Sequence, residues 1–120
     1  MKIAFSTTGD SLDSPLDNRF GRAANFLVYD TDSSDFEILD NSQNLNAAQG
    51  AGIQTAQAVA NAGVESVITG HVGPKAFMVL QQAGIKIYHS EAPTVSQALE
   101  LFNAGSLQEA KSSDVRGHWQ

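Results

Sequence analysis

Three glycines at 21-residue intervals, Gly63, Gly84 and Gly105, constrain this chain more than any other feature. They close the runs Asn61-Ala62-Gly63, Gln82-Ala83-Gly84 and Asn103-Ala104-Gly105, each after an apolar pattern of helical period. Glycine accepts the left-handed backbone that ends a helix at its C′ position. Strand-like runs rich in β-branched residues follow the first two stops, over Val64 to Thr69 and Ile85 to Tyr88. Strand and helix therefore alternate, and strands joined through helices lie parallel with right-handed crossovers. A solenoid is not expected, since the units are few and the N-terminal half lacks the period.

That half reads as three strands, Lys2 to Thr7, Phe26 to Asp30 and Phe36 to Leu39. The tight turn Thr31 to Ser34 makes the second and third an antiparallel hairpin. The polar loop Thr8 to Asn18 is longer than most connections. Asn41 to Ala48 reads as a polar loop, and Gly50-Ala51-Gly52 opens a helix with Ile53, Ala56, Val59 and Ala60 on one stripe. Pro74 suits the first turn of the next helix, where its missing N–H costs nothing. Thr94 and Gln97 form a capping pair for the last helix.

The expected architecture is a three-layer α/β fold with a mixed five-stranded sheet, one strand antiparallel, flanked by helices. Residues 1–105 form a single domain and 106–120 a flexible C-terminal tail. A short helical turn over Ser106 to Lys111 is an option, and so is a tail that carries His118 and Trp119 back over a binding site.

At 120 residues, 42% hydrophobic and with a mean hydropathy of -0.18, the composition is that of one globular domain. No apolar run reaches the ~18 residues of a membrane span, and the start lacks a signal-peptide pattern. Both point to a cytoplasmic protein without a membrane partner. The chain contains no cysteine, which excludes disulfides and thiolate-held metal or iron–sulfur sites. A net charge of -6 argues against a nucleic-acid partner.

If strand one is antiparallel to strand two, the loops after strands one, three and four emerge together at the carboxyl ends of the parallel strands. Ligands bind there in open α/β sheets. These loops hold Arg19-Phe20-Gly21-Arg22, Gly50-Ala51-Gly52 and Gly70-His71-Val72-Gly73-Pro74-Lys75. Arginine pairs suit oxyanions, and helix N-termini present unbonded N–H groups. Gly70 and Gly73 would tolerate positive φ or a close approach of another group. Simple chain turning is the plainer alternative. No phosphate-loop or dinucleotide fingerprint is present. His71 could coordinate a metal or donate to an anion, whereas His89 and His118 form no ligand spacing with it. Ser6, Thr7 and Thr8 have no motif supplying a base, and the first strand carries no carboxylate for two-metal chemistry.

Asp17 to Ala23 followed by Phe26 to Asp30, then Gly50 to Gln54, Thr69 to Phe77 and Ala83 to Tyr88, resemble the dinitrogenase iron–molybdenum cofactor biosynthesis (NifX-like) family over about residues 1–105. The resemblance implies a ribonuclease-H-like fold without nuclease activity. It also implies a non-enzymatic, monomeric binder or carrier of anionic metal–sulfur clusters. The cluster would be molybdenum-containing, of Mo-Cu-S or Fe-Mo-S type, held non-covalently and exchanged with a delivery or acceptor protein. A molybdenum–copper–sulfide protein of sulfate reducers is similar to this family. Many members carry histidine where this chain has Arg19, so a ligand role cannot be carried over to that position. Arg19, Phe20, Gly21, Arg22, Gly50, Ala51, Gly52, Gly70, His71, Val72, Gly73 and Lys75 are the expected cluster-binding residues, with His71 the one candidate metal ligand. Two other classes stay open: a small-anion or nucleotide-binding regulatory module, and an interaction adaptor.

Overall fold

The computed structural model describes residues 1–45 and 51–111. Among the described residues, five strands form one sheet: β1 (Lys2–Thr7), β2 (Asn25–Asp30), β3 (Phe36–Asp40), β4 (Ser66–Thr69) and β5 (Lys86–His89). Four helices of the described residues accompany them: α1 (Ser42–Leu45), α2 (Ala51–Asn61), α3 (Pro74–Gln82) and α4 (Val95–Asn103). The strand order is β3-β2-β1-β4-β5. β1 pairs antiparallel with β2 and parallel with β4, and β4 pairs parallel with β5. β2 is thus the one reversed strand, so β1, β3, β4 and β5 all end at one edge.

β1 is central, and Ile3 through Thr7 are all buried. Its alternation feeds two cores. Ala4 joins Phe26, Val28 and Val67 under Val59 of α2 and Leu80 of α3. Ile3 and Phe5 join Leu27 and Ile68 under Val95 and Ala98 of α4. Helices on both faces make three layers. Gly63, Gly84 and Gly105 adopt φ of 79°, 78° and 71°, the left-handed helix stops expected of them. Thr94 caps α4, its Oγ1 accepting from the Gln97 N–H at 3.2 Å. No helix among the described residues is long and apolar enough to cross a membrane.

Three local readings change. Part of the expected loop Asn41 to Ala48 is the single-turn α1. The Ser42 N–H donates to Asp40 Oδ1 at 2.7 Å, and this bond, then the Ser42 hydroxyl, holds the Asp40 carboxyl below its ordinary pKa. Asn41 supplies the rest as a buried hub. Its amide donates to the Ala23 carbonyl at 2.8 Å and accepts from Asn44 and Thr55 at 2.7 and 3.1 Å. A polar run reads as loop when the contacts that make it a helix come from distant residues. Second, Ser106 to Lys111 form no helical turn. The Ala110 N–H donates to the Ile87 carbonyl at 2.7 Å, and Glu109 bridges antiparallel to Tyr88. Leu107 and Ala110 pack on the two cores, so packed structure continues beyond the expected boundary at 105. His118 and Trp119 lie outside the described residues. Third, Gly70 and Gly73 do not use positive φ.

Candidate functional site

The loop after β1 is pinned where it passes the sheet edge. Ser6 Oγ lies 2.6 Å from the Asp17 carbonyl and 2.7 Å from Thr69 Oγ1, which ties the ends of β1 and β4 to the returning loop. Thr7 Oγ1 donates to the Pro15 carbonyl at 2.7 Å. The loop also joins the start of α4, with the Val95 N–H donating to Ser14 at 3.0 Å and Ser96 to Leu12 at 2.8 Å.

Past Asp17 the loop pairs with the segment following β4. The His71 N–H donates to the Asn18 carbonyl at 2.7 Å, and the Phe20 N–H to the His71 carbonyl at 3.0 Å, so Arg19 and His71 form a parallel bridge. Gly70 is what allows this approach. A Cβ there would lie 2.6 Å from Asn18 Cα and 2.7 Å from the Asn18 carbonyl oxygen. The second contact lies between the other glycine segments. A Cβ on Gly21 would meet Gly52 Cα at 3.0 Å, and one on Gly52 would meet Ala76 Cβ at 3.2 Å. Three stretches far apart in sequence are therefore packed backbone to backbone.

Two hollows result. A cleft of about 950 Å3 has the polar residues Asp17, Arg19, His71, His89 and Glu91 in its lining, with Gly70 and the apolar Leu16, Leu101 and Leu107. A smaller hollow of about 320 Å3 lies among Gly21, Gly52, Gly73 and Lys75. It opens at the N-terminus of α3, where N-cap Gly73 offers no side-chain cap and Pro74 follows. The expected residues thus divide between neighbouring hollows. Arg22 is half-buried and lines neither of these two. Phe20 and Val72 are buried in the core, so only their backbones belong to the edge, and Ala51 is likewise buried. Gly50 lies outside the described residues.

Asp17 and His89 are two of the cleft residues that sequence reasoning did not assign. Asp17 is buried, and its Oδ1 accepts from the Arg19 N–H at 2.9 Å and Arg19 Nε at 3.4 Å. The exposed guanidinium is thereby aimed, and its charge is matched by a carboxylate. The signal was an Asp two residues before Arg19, the spacing of an Asx turn. His89 Nδ1 lies 2.7 Å from the Gly70 carbonyl. A carbonyl only accepts, so Nδ1 carries the hydrogen and the neutral ring's lone pair is on Nε2. Backbone orientation of this kind is the usual support of a metal-binding imidazole. Among the described residues, no three histidine or carboxylate side chains converge to hold a bare metal ion.

Fold and site define a small single-sheet α/β module whose glycine-rich loops meet at the carboxyl ends of its parallel strands. The chain belongs to the dinitrogenase iron-molybdenum cofactor family, whose model matches residues 1–105. It is similar to the apo form of the orange protein from Desulfovibrio gigas, at 42% identity over 95% of this chain and 96% of that one, with a TM-score of 0.92. A Thermotoga protein assigned provisionally as NifB shares 35% identity over 97% of this chain and 98% of its own, with a TM-score of 0.85. An uncharacterized protein of Methanocaldococcus jannaschii is 31% identical over 102 residues, covering 78% of this chain and 86% of that protein.

Proposed function

We propose that this chain binds and carries an anionic, molybdenum-containing metal–sulfur cluster as cargo, with copper or iron as the second metal. The observation that carries this reading is the Arg19–His71 bridge under Gly70. It sets a guanidinium, an imidazole and loop backbone at one edge of a cysteine-free family member. The donor set fits a preassembled cluster better than a bare ion. His71 and His89 offer at most two nitrogen ligands, one from each neutral ring, while Arg19 and Lys75 offer charge-assisted hydrogen bonds suited to sulfide or oxo groups. Asp17 and Glu91 temper the cleft's charge, so retention depends on directed contacts as well as on net charge. The protein acts as a cytoplasmic, monomeric, non-enzymatic carrier that meets a delivery or acceptor protein.

Anaerobic titration with tetrathiomolybdate, with and without copper(I) or iron(II), tests this. Wild type should develop visible charge-transfer bands that co-elute with protein on gel filtration. An Arg19→Ala/Arg22→Ala variant should retain roughly tenfold less, from the loss of charged hydrogen bonds. No uptake, or uptake unchanged in that variant, contradicts the proposed site. Thermal stabilisation by phosphate or nucleotide in place of uptake would favour the regulatory alternative.

A further inference from the structure

The outer edge of β3, the terminal strand of the sheet, carries a second surface. β3 ends the strand order, and among the described residues nothing pairs with its outer side. The Asp30 N–H donates to the Asp35 carbonyl and the Asn41 N–H to the Ala24 carbonyl. Odd-numbered positions of the strand therefore bond inward, and alternation turns the backbone N–H and C=O groups of Phe36 and Ile38 outward. Their side chains share the sheet face of Tyr29 and Leu27, their register partners, and stay 40% and 36% exposed. An unpaired edge with large apolar side chains ordinarily invites another strand.

The surrounding charge decides which strand. Residues 30–40 hold five carboxylates, those of Asp30, Asp32, Asp35, Glu37 and Asp40, and no lysine or arginine. The nearby countercharges are Lys2, opposite Asp30, and the N-terminal amine, 3.2 Å from Asp32. Two copies paired through this edge would set carboxylates against carboxylates, which opposes self-association. A strand alternating apolar and basic residues would satisfy the backbone, the two apolar side chains and the charge together. We infer that the β3 edge docks a partner protein by strand addition, and that the partner's strand alternates apolar with lysine or arginine side chains. This inference does not depend on the cargo reading.

The test uses the full chain and two capped synthetic heptapeptides, one alternating valine with lysine and one valine with glutamate. On addition of the lysine peptide, the amide hydrogens of Phe36 and Ile38 should change from fast to slow exchange. Amide shift changes should stay within β2, β3 and their turn, and binding should weaken as salt rises. The glutamate peptide should not bind. Phe36→Ser/Ile38→Ser, at exposed positions, should lower affinity roughly tenfold with little change in melting temperature. Asp35→Lys/Glu37→Lys should reverse the preference between peptides. Unprotected Phe36 and Ile38 amides at millimolar peptide would overturn the inference. So would equal binding of both peptides, or shifts spread over the acidic surface. Protection of the same amides in a concentration-dependent dimer without peptide would overturn it in favour of a second copy.

Discussion

Gly70→Ala should destabilise the chain by about 3 kcal/mol, at the upper end of ordinary overpacking. The new Cβ would sit 2.6 Å from Asn18 Cα and 2.7 Å from its carbonyl oxygen. Both are backbone atoms, so no rotamer change relieves the clash. Relief requires separating the loops, which breaks the 2.7 Å His71–Asn18 bond and the 3.0 Å Phe20–His71 bond. Urea unfolding should show the loss, with the Phe20 and His71 amides exchanging faster in the folded state. At about 4 °C per kcal/mol for a chain of this size, melting should fall by roughly 12 °C. Gly73→Ala is the matched control. Gly73 has φ of -70° and nothing within 4 Å of an added Cβ, so its change should stay within about 0.5 kcal/mol. Equal stability of the two variants would show that the loops are not packed as described.

Phe20→Ala should cost about 3–5 kcal/mol, the range for emptying an aromatic core site. Phe20 is 1% exposed and meets Phe26 edge to face, with ring centroids 5.2 Å apart and planes at 63°. It anchors the arginine loop in the core between α2, α3 and the sheet. The cavity would therefore cost transfer energy, packing and the aromatic pair together. A melting temperature lowered by roughly 12–20 °C is expected, while Phe36→Ala, at an exposed position, should cost under about 1 kcal/mol. A small loss at Phe20 would mean that the loop is held from outside the core.

Features set by short-range chemistry were legible. A left-handed helix stop needs glycine at one position, so Gly63, Gly84 and Gly105 announced the helix ends and the βα order. Thr94 and Gln97 announced α4 in the same way. Features made by tertiary contact were not. α1 exists because Asn41 is buried against Ala23 and Thr55, partners 18 and 14 residues away. Gly70 was legible as a special position, but its reason lies in Asn18, which only the assembled edge brings near. His89 looked like an isolated strand-end histidine because its partner, the Gly70 carbonyl, lies 19 residues back. The division of the expected residues between two hollows likewise depends on which side of the Arg19–Arg22 segment each loop packs.

The central claim is that cargo binds where the Arg19 and His71 loops meet. Amide-resolved NMR of isotopically labelled protein, reconstituted anaerobically with tetrathiomolybdate and copper(I), tests it most directly. The largest perturbations should fall on Asn18 to Arg22, Gly70 to Lys75 and His89, with β3 and the exposed face of α2 unchanged. Cluster bound with those amides unmoved, and the changes lying elsewhere, would contradict the account.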